Sequence, residues 1–283
     1  MSLISLHNVS YQYPLTNEFV LKDVNIEIDQ GKIYGIIGPN QSGKTTLCNI
    51  LRGFIPSIFM GNLSGEVLFQ GKPLKDKNIG ELAEYIGYSS QNPFTQISGV
   101  KDTVEEEIAF GMENMGLDYT TMHQRVTEIL EMFQLEDLKD RNPFELSGGQ
   151  KQRVALASVI ALNPEIIILD EPTSQLDPKG TEEVFNVVAR LKKQGKTVVI
   201  VEHKIDLLAE YCDEIIVVKD HTVLLKGDCR YVFTNPLMRE NQLPIPKVTA
   251  FYLQHATEKL PLTLREVQSW KESEENVIRT KEC

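Results

Sequence analysis

The sequence predicts an α/β protein with a mainly parallel sheet, preceded by an antiparallel β-rich part and interrupted by a helical insert. Short apolar runs that alternate with helical stretches are typical of a parallel sheet whose strands are buried on both faces. Near the amino-terminal end, apolar and polar residues alternate in the pattern of antiparallel strands. Between residues 101 and 162 the strand patterns give way to helical ones, which indicates the insert.

The first elements are predicted from the alternation and from a glycine-containing loop. Residues 4 to 13, "ISLHNVSYQY", and 20 to 29, "VLKDVNIEID", read as two strands of the antiparallel part. Residues 32 to 38, "KIYGIIG", form a short apolar run of the kind buried in a parallel sheet. A loop and the helix-like residues 44 to 53, "KTTLCNILRG", follow, which is the order of an α/β nucleotide-binding fold.

The remaining elements are three helices in the insert and then a second series of strands. The helices are predicted at residues 102–116, 122–133 and 148–162. Later strands are predicted at 165–170, 196–202 and 213–219, with a helix at 181–193. Beyond them, residues 241 to 270 carry three prolines that bound two short amphipathic helices, and the charged residues 271 to 283 are predicted to be loosely ordered.

Composition allows one large domain and excludes some classes of protein. A chain of 283 residues with 41% apolar residues can bury an ordinary core. A net charge of −11 argues against a nucleic-acid surface, because a polyanion is usually bound by clustered Lys and Arg. Small anionic ligands need only a local binding loop, so they remain compatible with this charge.

Four cysteines and the absence of long apolar runs bear on the compartment. Cys48, Cys212, Cys229 and Cys283 form no CxxC pair, which favours a reduced cytosolic setting over disulfides or a zinc site. No secretory signal is expected at the start, and no run approaches the roughly 18 apolar residues that a membrane span needs. If the protein works at a membrane, another chain is expected to supply the membrane part.

The strongest motif is "GPNQSGKT", which matches G-x-x-x-x-G-K-[ST] between a predicted strand and a helix. Its amides and the helix N-terminus are expected to bind phosphates, Lys44 to neutralise the β- and γ-phosphates, and the Thr45 hydroxyl to ligate Mg²⁺. The alternative is a glycine-rich turn without a ligand. The predicted ATP-binding residues here are Gly38, Pro39, Asn40, Gln41, Ser42, Gly43, Lys44, Thr45 and Thr46.

A matching acidic pair follows a later strand in "IIILDEP". The strand brings Asp170 to the carboxyl edge of the sheet, where a carboxylate can hold Mg²⁺, and Glu171 can orient and polarise water. Taken alone, the pair could be an acidic strand end that meets a helix. Together with Lys44 it predicts a site that hydrolyses a nucleoside triphosphate.

The segment "ELSGGQKQR", residues 145 to 153, has a donor-rich turn before an apolar helix but no chemistry of its own. A nucleophile would need a neighbouring base, and a metal site would need carboxylates or imidazoles. The residues of interest in this turn are Ser147, Gly148, Gly149 and Gln150.

The ordered set "GPNQSGKT", "SSQNP", "LSGGQ", "ILDEP", "SQLD" and "VEH" resembles an ATP-binding cassette (ABC) ATPase over residues 1 to about 230. In that family, two cassettes pack head to tail, and the "LSGGQ" of one closes over the ATP held by the other. The resemblance implies that Ser147 and the amides of Gly148 and Gly149 meet the γ-phosphate in trans. Within one chain, the same residues would only cap a helix.

Other family positions follow from the resemblance one at a time. Tyr13 falls where the family places an aromatic ring against adenine, although it could be an ordinary strand aromatic. Gln91 resembles the glutamine that reaches Mg²⁺ and the attacking water. His203 resembles the histidine that holds the γ-phosphate, and Asp177 the aspartate that contacts the other cassette; their alternatives are a structural histidine and a helix cap. Gln41 stands where relatives often have glycine, so a stiffer loop is expected there.

Domain boundaries follow from the resemblance together with the change of pattern near the end. Residues 1–235 are predicted to form the ABC cassette, with an antiparallel β subdomain, a RecA-like parallel-sheet core and the helical insert at about 101–162. Residues 236–283 are predicted to form a C-terminal helical extension.

Three segments resemble one branch of the family, the ATPases of energy-coupling factor and cobalt-type importers. They are "GFIPSIFMGNLSGEVLFQGK", "QNPFTQISGVKDTVEEEIAFG", and "LPIPKVTAFYLQ" with the later "LPLTLREV". Such importers join two cassettes to a membrane coupling protein and a small substrate-binding membrane protein, and take up vitamins or transition-metal ions. The resemblance therefore implies ATP, Mg²⁺, an identical or paralogous second cassette and a peripheral location at the cytoplasmic face of the membrane, with no nucleic-acid partner.

Two other functions are alternatives to an importer ATPase. A soluble ABC ATPase, such as a ribosome-binding or cluster-assembly factor, moves no solute. A ribosome factor usually has two cassettes in one chain and basic surfaces, whereas this chain has one cassette and is acidic. A P-loop kinase would need an acceptor site and gives no account of "LSGGQ".

Three consecutive glutamates, Glu105, Glu106 and Glu107, begin the first helix of the insert. A helix N-terminus favours acidic residues, so a solvated helix start explains all three. In the importer branch this segment lines the groove that receives arginine-rich coupling helices of the membrane partner. One or two of the glutamates are therefore candidates for contacts with arginine.

Overall fold

The computed structural model describes residues 2–255 and 260–270, so the predicted loose end at 271–283 lies outside the described residues. The strands are β1 (Ser2–Gln12), β2 (Leu21–Asp29), β3 (Ile33–Ile37), β4 (Asn62–Phe69), β5 (Lys72–Pro73), β6 (Ile86–Ser89), β7 (Ile166–Asp170), β8 (Thr197–Val201), β9 (Glu214–Lys219) and β10 (Thr222–Asp228).

The helices follow the predicted order and add several short ones. They are α1 (Lys44–Leu51), α2 (Phe54–Ser57), α3 (Ile79–Tyr85), α4 (Val104–Asn114), α5 (Tyr119–Phe133), α6 (Gly148–Ala161), α7 (Pro178–Lys193), α8 (Ile205–Tyr211), α9 (Cys229–Thr234), α10 (Pro236–Glu240) and α11 (Lys247–Gln254). Residues 264 to 270 are also helical.

Two sheets form the frame of the molecule, and they confirm the predicted α/β class. A four-stranded antiparallel sheet has the order β2-β1-β4-β5, and a six-stranded sheet has the order β10-β9-β3-β8-β7-β6. In the larger sheet all neighbours are parallel except β10, which pairs antiparallel with β9.

Alternation along the central strands divides the core into two apolar layers. In β3, Ile33 and Ile37 face one layer, which also contains the helices of the insert and α7. Tyr34 and Ile36 face the other layer, which contains α1 and the antiparallel strands. Because successive strand side chains point to opposite faces, a strand buried on both faces is mostly apolar. This holds for β3, for β7 up to its last residue, Asp170, and for β8 after its first residue, Thr197.

The sheet order places the ends of four strands side by side. Strands β3, β8, β7 and β6 are parallel neighbours, so their carboxyl ends open at the same edge. In open α/β sheets this edge is where ligands bind. The segments that begin there carry four of the six predicted motifs, "GPNQSGKT", "VEH", "ILDEP" and "SSQNP".

The helical insert is held by its own caps and by a buried apolar face. Thr103 and Glu106 form a capping box at the start of α4. Val104, Ile108 and Met112 recur at a spacing of four residues and are fully buried, so α4 packs on the core through one face.

The C-terminal segment packs on α8. The Lys247 amide donates to the Asp206 carboxylate at 2.8 Å, and Arg265 Nη2 lies 2.8 Å from Glu210 Oε1. The buried Thr249 hydroxyl donates to the Pro261 carbonyl at 2.6 Å. The predicted boundary at residue 235 falls between α9 and α10, and the division into cassette and extension stays a prediction.

Over the residues that the structure describes, every helix is too short or too polar to cross a bilayer.

Candidate nucleotide-binding and hydrolysis site

Two glycines in the loop between β3 and α1 are required by close backbone contacts. A Cβ at Gly38 would lie 2.0 Å from the Val218 carbonyl oxygen, and one at Gly43 would lie 2.6 Å from the Val20 carbonyl oxygen. Gln41 has φ +64°, in the left-handed region that glycine adopts most easily. The glycine that the family resemblance leads us to expect at this position would adopt this conformation without strain, and the expected stiffening of the loop stays a prediction.

Lys44 is buried at the first position of α1 and directs its charge into the loop. Its Nζ donates to the carbonyl oxygens of Gly38 at 3.0 Å and Pro39 at 2.8 Å. Burial lowers the pKa of Lys44, while the nearby Glu171 and Asp170 carboxylates act in the opposite direction. Among the described residues, the buried Ser42 hydroxyl has no hydrogen-bond partner. A loop with a buried ammonium and an unsatisfied hydroxyl is suited to an anionic ligand with several oxygens.

Asp170 ends β7 and is nearly fully buried, with 4% of its surface exposed. Its Oδ2 accepts hydrogen bonds from the Thr45 hydroxyl at 2.9 Å and from the Tyr88 hydroxyl at 3.3 Å. Burial raises the pKa of the Asp170 carboxyl, and the Thr45 hydrogen bond acts to lower it. The predicted metal-binding hydroxyl and carboxylate are therefore in direct contact.

Glu171 is the point where three predicted residues meet. Its Oε1 lies 3.1 Å from His203 Nε2, and its Oε2 accepts a hydrogen bond from Gln91 Nε2 at 2.6 Å. The backbone of Glu171 has φ +51°, and its amide donates to the Val201 carbonyl at 2.9 Å. This turn directs the carboxylate away from the sheet and toward the loops after β6 and β8.

A cavity of about 650 Å³ opens between these groups. It is lined by Val20, Asn40, Gln41, Gly43, Lys44, Thr45, Thr46, Gln91, Glu171 and His203. Tyr13 lies beside this lining, where its hydroxyl is 3.2 Å from the Thr46 hydroxyl and its ring packs edge-on against Tyr11 at 4.9 Å. The structure thus brings together the predicted loop, metal-binding and hydrolytic residues.

A second cavity, of about 430 Å³, is lined by Ser147, Gly149 and Gln150 of "LSGGQ" and by Asp177. Ser147 caps α6 in a capping box with Gln150, and Asp177 caps α7 by accepting from the Gly180 amide at 2.7 Å. The residues that line this second cavity are Gln134, Ser147, Gly149, Gln150, Arg153, Gln175, Leu176, Asp177, Lys179, Gly180 and Glu183. Within one chain, the capping role described for these residues is present.

A comparison with known protein families gives a match to the ABC transporter model over residues 21–174, which is more than half of the chain. The chain belongs to the ABC transporter family. Members of the family are ATP-binding proteins, and this chain is an ABC ATPase with the cassette fold.

Two curated relatives carry the name energy-coupling factor transporter ATP-binding protein EcfA1. The protein from Thermotoga maritima is 43% identical over 205 residues, which cover 72% of this chain and 74% of the relative. The protein from Streptococcus sanguinis is 38% identical over 249 residues, which cover 87% of each chain.

Two solved structures have the same cassette fold. CbiO1 from Clostridium perfringens, described as part of the ABC transporter complex CbiONQ, is 33% identical with a TM-score of 0.74, covering 89% of this chain and 98% of its own. A dimeric ATP-binding cassette in a post-hydrolysis state, bound to ADP and phosphate, is 31% identical with a TM-score of 0.69, covering 80% and 98%.

The oxygen atoms at the site of this ABC ATPase fit a magnesium ion. Mg²⁺ at a nucleotide typically uses one or two protein carboxylates or hydroxyls together with phosphate oxygens. Thr45 and Gln91 line the cavity, and the Asp170 carboxylate accepts a hydrogen bond from the Thr45 hydroxyl, so the three side chains offer such hard ligands. Within the described ranges 2–255 and 260–270 there is no group of three or more His, Cys, Asp or Glu that could hold a metal without phosphate.

Sequence reasoning missed Tyr88, Thr173 and Glu202 in this ABC ATPase. Tyr88 contacts Asp170 from the next strand, and its ring packs on the Arg52 guanidinium at 3.5 Å. Thr173 and Glu202 are both buried and hydrogen-bonded to each other. Each of the three residues lies within or beside a motif in the sequence, and this proximity is the one signal that could have identified them. Their contact partners lie elsewhere in the sequence, so no local pattern predicts the contacts.

Proposed function

We propose that this chain is the ATP-hydrolysing subunit of an energy-coupling factor type importer, which drives uptake of a vitamin or transition-metal ion through separate membrane subunits. The observation that carries the proposal is the contact of Gln91 and His203 with one carboxylate, that of Glu171. This contact supports a mechanism in which Glu171 would act as the base, His203 would meet the γ-phosphate, and Gln91 would link the site to a transport partner. The relatives named EcfA1 support the importer branch.

In the proposed reaction, the amides of residues 38–45 and the Lys44 ammonium bind the ATP phosphates. Thr45, Asp170 and Gln91 would hold Mg²⁺, which neutralises charge on the phosphate oxygens when bound. The Glu171 carboxylate orients the attacking water and accepts its proton. His203 donates a hydrogen bond to the γ-phosphate. The position of Glu171 between Gln91 and His203 supports these roles.

The complete site is proposed to be shared between two cassettes, either identical or paralogous. Ser147 and the Gly148 and Gly149 amides of one cassette would contact the γ-phosphate on the other, and Asp177 would contact the partner at the same interface. Two features support this arrangement: the "LSGGQ" turn lies at a cavity of its own, and a solved cassette of this fold is dimeric with ADP and phosphate.

The membrane partners are proposed to be a coupling protein and a substrate-binding protein, with this chain peripheral at the cytoplasmic face. CbiO1, described as part of a transporter complex, supports a shared assembly of this kind. The test is to fractionate cells and purify the tagged chain both from detergent-solubilised membranes and from cytosol. Stoichiometric co-purification with integral membrane proteins is expected, whereas recovery only from cytosol would favour an ABC ATPase that moves no solute.

The proposed adenine contact of Tyr13 predicts a loss of affinity in Tyr13→Ala. Stacking of a base on an aromatic ring is worth about 1–3 kcal/mol, which corresponds to roughly 5- to 150-fold in the dissociation constant. Tyr13→Phe keeps the ring and is expected to bind ATP nearly as tightly as the wild type. Titration calorimetry with ATP checks both variants. Equal affinity of Tyr13→Ala and the wild type would show that Tyr13 only packs against Tyr11.

The three glutamates at the start of α4 differ in what they contact. Glu106 completes the capping box, and the buried Glu107 accepts from the Ser98 amide at 2.7 Å and the Ser98 hydroxyl at 2.6 Å. Glu105 is partly exposed and lies 3.9 Å from His123 Nδ1. The first-turn position and the Ser98 contacts account for Glu106 and Glu107, so Glu105 is the one proposed to meet an arginine of the membrane partner.

Glu105→Lys is therefore expected to weaken assembly with the membrane partner and to leave ATP affinity unchanged. An arginine that meets a lysine loses a charge-assisted hydrogen bond and gains a repulsion. The measurement is the yield of membrane subunits that co-purify with the tagged variant. Glu131→Lys on the neighbouring α5 makes the same exposed charge reversal and is the control. Stoichiometric co-purification and normal uptake with Glu105→Lys would make Glu105 a solvated helix residue.

A further inference from the structure

Glu202, the residue before His203, is a buried carboxylate surrounded by donors. It is 4% exposed and follows β8 directly. Its Oε2 accepts from the His203 amide at 2.8 Å and from the Lys204 amide at 3.2 Å, and its Oε1 accepts from the Thr173 hydroxyl. One carboxylate therefore fixes the backbone of the loop that carries His203 and ties that loop to a residue two positions beyond Glu171.

Lys204 makes a second connection between the same parts of the molecule. Its Nζ donates to the Thr173 carbonyl at 3.2 Å and to the Thr181 hydroxyl, in α7, at 2.6 Å. Thr173 and Thr181 are both buried, with 1% and 3% of their surfaces exposed. Glu202 and Lys204 thus hold Thr173 through its side chain and its carbonyl, from the two sides of His203 in the chain.

The His203 side chain itself is held weakly. Half of it is exposed, and among the described residues its ring nitrogen meets only the Glu171 carboxylate, at 3.1 Å. A half-exposed side chain with a single hydrogen-bond partner depends on its backbone for a fixed position. The contact with Glu171 therefore requires the ends of β7 and β8 to keep their relative position, and the Glu202 carboxylate joins the two loops that begin there.

We infer that Glu202 is a positioning residue for ATP hydrolysis, which sets the distance between the His203 imidazole and the Glu171 carboxylate by joining their loops through Thr173. The inference rests on the roles proposed above for Glu171 and His203. It makes Glu202 act on the rate of hydrolysis through His203, and not on nucleotide affinity, because Glu202 lies beneath the loops and outside the lining of the nucleotide cavity.

The test is a double-mutant cycle of Glu202→Ala and His203→Ala in the full chain, assembled with its membrane partners. A displacement of about 1 Å in a catalytic group can cost about 10²-fold, so Glu202→Ala is expected to lower kcat about 10- to 100-fold with KM for ATP within about threefold. The double variant is expected to be no slower than His203→Ala alone, because interacting residues have non-additive effects.

Two further variants separate positioning from stability. In Glu202→Gln the amide oxygen can accept from the two backbone amides and the amide nitrogen can donate to the Thr173 hydroxyl, so kcat is expected to stay within about threefold of the wild type. Thr197→Val is the control, because it removes the acceptor of the Gly31 amide, a partly buried hydrogen bond at the opposite end of the same strand. It is expected to lower the melting temperature and leave kcat unchanged.

Additive losses in the cycle would overturn the inference, and so would a normal kcat in Glu202→Ala when His203→Ala is slow. If His203→Ala itself has normal turnover, the role proposed for His203 fails, and the inference fails with it. A loss of kcat in Glu202→Ala that Glu202→Gln restores, combined with non-additivity, supports it.

Discussion

Glu171→Gln is expected to slow steady-state ATP hydrolysis by about 10²–10⁴-fold, the usual contribution of general-base catalysis. Glutamine has nearly the same shape as glutamate and can still accept from Gln91 or donate to His203, so the local arrangement should persist. It cannot take a proton from water at neutral pH. ATP affinity is expected to stay normal, because Lys44 and the loop amides are untouched.

The measurement is the release of phosphate at saturating ATP from the complete complex, together with nucleotide affinity of the same variant. Glu182→Gln, an exposed glutamate on α7, makes the same chemical change away from the site and is the matched control. Near-normal turnover of Glu171→Gln would defeat its assignment as the base. A large loss of ATP affinity would instead indicate that Glu171 supports the binding site.

Ser147→Arg is expected to abolish ATP-driven association of two cassettes while leaving the nucleotide affinity of a single cassette nearly intact. Ser147 is exposed at the start of α6 and lies at the second cavity, away from Lys44. A bulky charged side chain there would enter the proposed interface and prevent its closure. The loss of the cap itself costs only about 0.5–2 kcal/mol, so the chain should remain folded.

Light scattering on the Glu171→Gln background checks this result, with a paralogous cassette present in case the chain does not pair with itself. Asp118→Arg is the matched control, since Asp118 caps α5 by accepting from the Thr121 amide at 3.0 Å. It loses the same kind of cap and gains the same arginine, and is expected to associate normally. A stable ATP-bound dimer of Ser147→Arg would place "LSGGQ" outside the shared site.

Much of the fold follows from local patterns. The apolar runs that became β3, β7 and β8 were predicted within about one residue of their observed ends, because a strand buried on both faces needs apolar side chains throughout. Strands β4, β5, β6 and β10 were not predicted. Their side chains are partly exposed or too few to show a period, and pairing with neighbouring strands decides whether such segments become strands.

The candidate site likewise has some features that follow from local sequence patterns and others that do not. The sequence by itself determined the loop between β3 and α1, because Gly38, Gly43 and the following lysine are set by local backbone geometry and spacing. It also determined the caps at Ser147 and Asp177, which depend on contacts three residues away. The meeting of Gln91, Glu171 and His203 was expected only from the resemblance to the family, since the three belong to loops after different strands.

The tertiary structure alone decided which charged groups are buried and what they contact. Glu105 and Glu107 stand two residues apart in a run of like residues, yet only Glu107 is buried, where Ser98 supplies its donors. Glu202 resembles any acidic residue at the end of a strand until the folded chain places Thr173 beside it. Hydrogen bonds of this kind join segments that are distant in sequence, so they leave no local pattern. Their contribution to stability depends on burial, because an unpaired polar group away from water raises the free energy of the folded state.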